Sequence, residues 1–442
     1  MEDSLLYAKD SNKALKLRLC TTSDDTTYDF APTFTYPIFG EQEIIYGYRD
    51  LVIKLYFTSG SLKNYLSIEY SGEPLTGDKV IDIEKTLYDF IPPDYTKDKD
   101  VFEKTIAKDE KAFKPMGRKI GEYARRPKQR DATNGEDTKG KGKAKETSAK
   151  EQWENCDVND EDAIVFEAYQ TRFDTKGFKE YHRRMQIFVL LYIEGGSYID
   201  EDDDRWEFVT LYEKRKTDKK NQFTYHFVGY TSLYAFLHWP DKTRLRLAQF
   251  VILPPYQGAG HGSTFYSLVY LWLLQRDDIA ELTIEDPSEA FQDMRDKVDY
   301  RTLSSANVFK NVKAPIPLSL DGKKDWREET RKEWKLATRQ FSRILEMALK
   351  KNLMKAAIEA TEGTGSANGS SVGGHASPNK RTLKMLDSDE KEYRLLVKER
   401  LARMNYEILA PMSRSEKREV LQQTYESCVD EYLRLLDQMG EI

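Results

Sequence analysis

An apolar run over residues 245–253 is halted by Pro254-Pro255, crosses a turn holding Gly258, Gly260 and Gly262, and resumes as an apolar stretch over 263–274. No other feature narrows the fold as much. Proline has no N–H to give to a ladder, so a strand ends before residue 254. Glycines tolerate positive φ, which lets successive backbone N–H groups converge on one point. A helix opening just after them adds the partial positive charge of its N-terminus. Strand, turn and helix in this order call for an α/β fold with an anion-binding corner, whose natural guest is a phosphate or pyrophosphate. A Walker loop does not fit, because Ser263-Thr264 follow Gly262 with no lysine. The dinucleotide fingerprint GxGxxG fails too: Ser263 stands where its third glycine belongs.

Composition excludes several other classes. At 442 residues the chain exceeds one small module, and ~100–200 residues per domain predicts two to four packed units. Lys+Arg 69 against Asp+Glu 75 leaves a net charge of -6, so there is no global basic field and direct nucleic-acid binding is not expected. Cys20, Cys156 and Cys428 lie far apart without a CxxC pair, which argues against a disulfide framework and for a reducing compartment. The 5 histidines show no helical ligand spacing, so no metal site is expected. The first residues lack a signal-peptide pattern, and the densest apolar stretch, 187–193, is far short of the ~20 residues of a membrane helix. A soluble intracellular protein with no membrane partner is the expectation.

Two segments break the globular texture. Residues 125–150 carry almost no large apolar side chains and are expected to form a disordered basic insert. Residues 361–380 are rich in Gly and Ser and predict a flexible loop. Arg125-Arg126-Pro127-Lys128-Gln129-Arg130, with the lysines of 139–145, has the composition of a nuclear import signal or of a charged linker. Upstream, 14–20, 51–57 and 61–70 have strand chemistry, and 86–90 predicts a short helix. In the centre, 163–170, 205–214, 222–237, 245–253 and 281–284 read as strands. Apolar spacing over 178–193 predicts a helix leading into a buried segment. Tyr393, Leu396, Val397, Leu401 and Met404 follow helical spacing, as do Tyr425, Cys428, Val429, Tyr432 and Leu436. The expected division is an α/β domain over 1–124, the insert at 125–150, a catalytic core over 151–300 and a helical region over 301–442.

Gln257-Gly258-Ala259-Gly260-His261-Gly262 matches the Q-x-x-G-x-G/A loop of the GCN5-related N-acetyltransferases. With QFVILPPYQGAGHG, IEDPSEAFQDMRD, FGEQEIIYGYRDL and VGYTSLYAFLHWPDKTRLRLAQF, the chain resembles the catalytic subunits of type B histone acetyltransferases over most of 10–305. The resemblance implies an acetyltransferase fold, a mixed and mostly antiparallel sheet flanked by helices, with an N-terminal α/β domain and a helical C-terminal region. It also implies acetyl-CoA as co-substrate and no metal. Main-chain groups of Phe250, Val251 and Ile252 would pair with the pantetheine arm. Gln257, Gly258, Ala259, Gly260, His261, Gly262 and Ser263 would hold the pyrophosphate, and Ser288 would touch the cofactor arm. The implied acceptors are lysines of the N-terminal tail of newly made histone H4, with contacts at Glu41, Gln42, Glu43, Tyr234, Ala235 and Phe236. A WD-repeat histone-binding subunit is the implied partner, with residence in cytoplasm and nucleus.

The chemistry sets its own demand. A lysine ammonium must lose a proton before it can attack, which costs roughly 4–5 kcal/mol at neutral pH, so a positioned base is required. The resemblance puts Glu285 in that role, with Asp286 beside it and Glu194 as an auxiliary carboxylate. From the residues alone, Asp286 at N-cap, Pro287 at N1 and Glu289 at N3 also form a helix-start signature. Glu194, at the end of an apolar run, is costly to bury without a partner and equally well explained as a solvated residue at an element's end. His261 reads as a packing residue, and the run 200–204 as solvated surface. No cysteine lies near the motif, which favours direct attack over an acyl-enzyme. The rival functions are acetylation of other amines, peptide N-termini included, and a non-catalytic histone-binding scaffold.

Overall fold

The computed structural model describes residues 6–22, 28–77, 80–127, 153–217, 222–310, 312–313, 325–362 and 380–442. Of the Gly/Ser-rich loop expected over 361–380, residues 363–379 lie outside the described residues, as do 128–150 of the basic insert with its lysines at 139–145; 361–362 and 380 are helix instead, ending and opening long helices. The chain divides into two compact units, Met1–Asp278 and Ile279–Ile442.

In the first unit, β1 (Ala8–Asp10) pairs antiparallel with β3 (Ile44–Tyr46). A second sheet joins β2 (Leu15–Cys20), β4 (Arg49–Thr58) and β5 (Asn64–Ser71), with β2 parallel to β4 and β5 antiparallel to it. Leu15, Leu17 and Leu19 on β2 and Leu51, Ile53, Leu55 and Phe57 on β4 alternate with less buried residues. That period of two is what turns one face of a sheet toward a core. The remaining strands are β6 (Arg118–Pro127), β7 (Trp153–Cys156), β8 (Ile164–Arg172), β9 (Trp206–Lys216), β10 (Phe223–His238) and β11 (Lys242–Ile252). They hydrogen-bond in the order β11-β10-β9-β8-β6-β7, all antiparallel.

One continuous core links these sheets, running from Leu15 and Phe57 to Phe208, Tyr230 and Val251. The helix expected over 178–193 is two helices, Phe178–Met185 and Ile187–Tyr192, meeting at Gln186. The first is amphipathic. The second has Ile187 to Leu191 wholly buried, with Phe188 5.0 Å from Phe57, because it runs through the core rather than over it.

β6 corrects the expected boundaries. It crosses 124/125 without a break and is flanked by β8 and β7, so residues 125–127 are sheet and not insert. Composition misled here because the charges of this strand are satisfied within the fold: Arg126 pairs with Glu154 at 2.6 Å, and Arg125 is buried.

The second unit opens with β12 (Ile279–Ile284), followed by helices Glu289–Ser305, Trp326–Glu333, Thr338–Glu362, Lys380–Met404, Tyr406–Leu409 and Arg414–Gln438. Tyr393, Val397, Leu401, Tyr432 and Leu436 are buried as their spacing requires, whereas Met404 is 46% exposed. Ser413 and Glu416 close a reciprocal capping box on the last helix. Its interior also holds charge. Arg343 meets Asp296 at 2.6 Å, Gln340 donates to both Asp296 and Asp299, and Arg400 meets Glu346 at 2.7 Å.

Candidate active site

β11 delivers the chain to the glycine turn. Val251 and Ile252 are buried, and Gly229 opposite Ile252 on β10 lets the two backbones approach so closely that a Cβ there would lie 2.1 Å from the Val251 carbonyl oxygen. Pro254–Tyr256 forms a single 3-10 turn. Tyr256 anchors it through a 2.8 Å bond to Glu213. The Gln257 amide donates to the Pro254 carbonyl at 3.2 Å and its carboxamide to the Ile252 carbonyl at 2.7 Å. Its side chain therefore clamps the loop onto the strand end, a role different from the diphosphate contact expected of it.

Beyond Gln257 the backbone opens. Gly258 and Gly260 both have φ of 78°, a conformation that side-chain-bearing residues rarely adopt. The N–H groups of residues 258–263 donate to no group among the described residues. Gly260 is the N-cap of helix His261–Leu274, so the last of these are the orphan donors of a helix start. Consecutive unpaired amides in a bend of alternating hand, beside a helix N-terminus, form a socket for an anion.

The carbonyl side of the turn is as full as the amide side is empty. The Gly260 oxygen accepts from Ser263 Oγ at 2.9 Å, from Thr264 N and Thr264 Oγ1 at 3.2 Å, and from Arg125 Nη2 at 3.0 Å. Ser263, expected at the pyrophosphate, thus spends its hydroxyl proton within the loop. His261 is 2% exposed and packs on Phe166 with ring centroids 4.4 Å apart; its Nδ1 pairs with Tyr123 Oη at 2.7 Å. Burial, with Arg125 beside it, pulls its pKa down to about 4, so the ring is neutral and serves as a packing element.

The expected acceptor-side residues fall into two groups. Glu43 is committed to the fold: its Oε1 accepts from the amides of Thr35 (2.6 Å) and Tyr36 (3.1 Å), its Oε2 from Asn12 at 2.8 Å, and these bonds hold its carboxyl below the usual range. Glu41 and Gln42, in the turn before it, are exposed. Tyr36 ties that region to the second carboxylate, because its hydroxyl accepts from the Gly195 amide at 2.7 Å, one residue past the exposed Glu194. On β10, Tyr234 donates to Asp203 at 2.9 Å and packs on Trp206, while Arg246 lies over the Phe236 ring at 4.5 Å. The Ala235 amide donates to the Arg205 carbonyl. The run 200–204 is engaged in ion pairs, Asp202 with Lys179 and Glu201 with Arg183.

Glu285, Asp286 and Ser288 belong to the second unit, where β12 turns into helix Glu289–Ser305, and all are exposed. The cap is not the one expected. Ser288 is N-cap, its Oγ accepting from Phe291 N at 3.3 Å, and the helix starts two residues later than the Asp286-Pro287 signature predicts. Asp286 instead has φ of 32°, a strained value for a residue with a Cβ. Capping accounts for Ser288 and leaves Asp286 without that explanation.

Sequence reasoning missed Tyr123 and Arg125, which reach the loop from β6, and Gln249, whose buried amide bonds Ser197, Tyr230 and Ser232. Alternation along 118–127 was the available signal for the first pair. Among the described residues no group of three or more His, Cys, Asp and Glu could hold a metal, and no helix is long and apolar enough to cross a membrane.

An antiparallel sheet feeding a strand into a turn of open amides and a helix start agrees with the acetyltransferase fold that the sequence resemblance implies. The family model described as "Histone acetyl transferase HAT1 N-terminus" matches residues 7–194, and that described as "Fungal HAT1, C-terminal" matches 296–353. Curated relatives named histone acetyltransferase type B catalytic subunit include one from Cryptococcus neoformans, 44% identical over 97% of both chains. One from Mycosarcoma maydis is 40% identical over 98% of this chain and 88% of its own, and one from Candida albicans 33% identical over 97% and 90%. The chain belongs to the type B histone acetyltransferase catalytic subunits and is a histone acetyltransferase.

Proposed function

We propose that the chain transfers acetyl from acetyl-CoA to lysine ε-amines of the N-terminal tail of newly synthesised histone H4, by direct attack in a ternary complex. The observation that carries this reading is the run of unpaired amides over 258–263, which matches a diphosphate. The thioester supplies the activated acetyl group. In this reading the main chain of Phe250–Ile252 aligns the pantetheine arm and polarises the acetyl oxygen, and Glu285 takes the ammonium proton, with Asp286 adjacent and Glu194 auxiliary. The exposed carboxylates of Glu41 and Glu194 suit a cationic tail. Direct attack is favoured because Cys20 and Cys428 are buried, and burial raises the Cys156 thiol, which makes a poor thiolate. A WD-repeat histone-binding partner and residence in cytoplasm and nucleus complete the proposal.

The test is Glu285→Gln. Turnover on an H4 tail peptide should fall by about 10²–10⁴-fold while acetyl-CoA binding is retained. Unchanged turnover removes Glu285 from the base role. Mass spectrometry of the full tail peptide should show acetyl on lysine and none on the terminal amine.

A further inference from the structure

Arg125 is 6% exposed, and its Nε has no partner. Nη2 donates to the Gly260 carbonyl at 3.0 Å and to Thr264 Oγ1 at 2.7 Å, and the nearest ring is Tyr123, its centroid 5.5 Å away. Among the described residues no carboxylate forms an ion pair with it; burial lowers its pKa, and no acid offsets that. The other buried arginines do have acids: Arg295 meets Asp299 at 3.4 Å and Arg343 meets Asp296 at 2.6 Å. A buried guanidinium without a counter-charge is costly, so an anionic ligand is its natural complement.

The position of Arg125 says how it would act. It lies on the carbonyl side of the Gly260–His261 peptide, close enough that a Cβ on Gly260 would meet its Nη1 at 3.0 Å. In a trans peptide the C=O and the following N–H point opposite ways. Drawing the Gly260 oxygen inward therefore aims the His261 amide outward, into the socket. A cationic donor on that oxygen also polarises the peptide and strengthens the amide as a donor.

We propose that Arg125 is a positioning residue for the cofactor: it orients the Gly260–His261 peptide toward the diphosphate and holds behind the loop a positive charge that the bound diphosphate neutralises. This rests on the reading of residues 258–263 as the acetyl-CoA loop. The chain therefore recognises its thioester partly from β6, a strand outside the loop motif.

The experiment compares two thioesters on the full chain with an H4 tail peptide: acetyl-CoA, and S-acetylpantetheine, which has the same reacting group without the diphosphate. Arg125→Gln should raise the KM for acetyl-CoA about tenfold, leave kcat within about twofold, and leave kcat/KM for S-acetylpantetheine unchanged. Arg125→Lys, which keeps the charge, should recover part of the loss. Equal losses with both thioesters, or no change in KM, would overturn the proposal. Should Arg125→Gln not fold, Thr264→Val removes one donor from the same carbonyl; a smaller loss confined to acetyl-CoA supports the proposal and an equal loss on both refutes it. A wild-type chain that makes no use of acetyl-CoA would remove the underlying reading first.

Discussion

Two interiors of this protein hold buried arginine and treat it in opposite ways. In the helical unit, Arg343 and Arg295 sit among Asp296, Asp299 and Gln340, and Arg400 is matched to Glu346 and Tyr432. Each of these arginines has a carboxylate, Arg343 and Arg400 from a neighbouring helix and Arg295 from its own, and the cross-helix pairs register the helices. Behind the glycine loop of the first unit, Arg125 has hydrogen-bond acceptors but, among the described residues, no carboxylate, and the amides next to it are open. A charge balanced inside the fold is structural. One left unbalanced beside empty donors is held for a ligand.

Breaking the balanced side should have the largest effect. Asp296 is fully buried and accepts from Arg343, Gln340 and Gln292. Asp296→Ala should cost about 3 kcal/mol in denaturant unfolding, because the buried Arg343 loses its fully buried carboxylate and keeps only the half-exposed Glu431, 2.8 Å away. A loss under about 1 kcal/mol would show the helical network to be as uncompensated as Arg125.

Acid separates the two regions next. Burial holds His182, His226 and His261, all in the first unit, at about 4 against an ordinary 6.5. A depressed histidine contributes stability above 6.5, lost as pH falls toward 4, since the unfolded chain takes up the proton first. At one pH unit below 6.5 each should have cost about 1 kcal/mol. In the helical unit Arg331 holds Glu328 down to about 2, so that contribution fades only in stronger acid. Hydrogen exchange between pH 7 and 5 should therefore show residues 1–278 loosening before 279–442. The reverse order would sink the distinction.

The smallest effect sharpens the comparison most. Thr264→Asp places a carboxylate where Arg125 now finds a hydroxyl at 2.7 Å, converting the loop to the balanced kind. The free protein should unfold at equal or higher denaturant, while the KM for acetyl-CoA rises about tenfold. Higher stability with an unchanged KM would mean that the charge of Arg125 does not reach the ligand.

Much of the fold was legible in the chain because its cues are local. Runs of strand chemistry predicted β2, β4 and β9 to β11, a pair of prolines marked the end of β11, and the glycines at 258 and 260 suit positive φ. Helical spacing through Tyr393 and Tyr432 predicted buried stripes. These depend on neighbours within a few residues, which any sequence displays. Legibility failed where the deciding partner was distant. Arg125-Arg126 has the composition of a linker, and only pairing with β7 and β8 makes it a strand. Glu43 has the look of an acidic contact until Thr35, Tyr36 and Asn12 surround it.

The sequence by itself determined that a strand ends at two prolines, that glycines follow and that a helix begins, because φ preference and the missing proline N–H belong to single residues. Tertiary structure alone decided which donors stay open and which charge goes unmatched. Hydrogen bonds and ion pairs are made between groups far apart in the chain: Tyr123 and Arg125 meet the glycine loop across more than a hundred residues. Local chemistry built the turn, and long-range packing left its amides free to meet an anion.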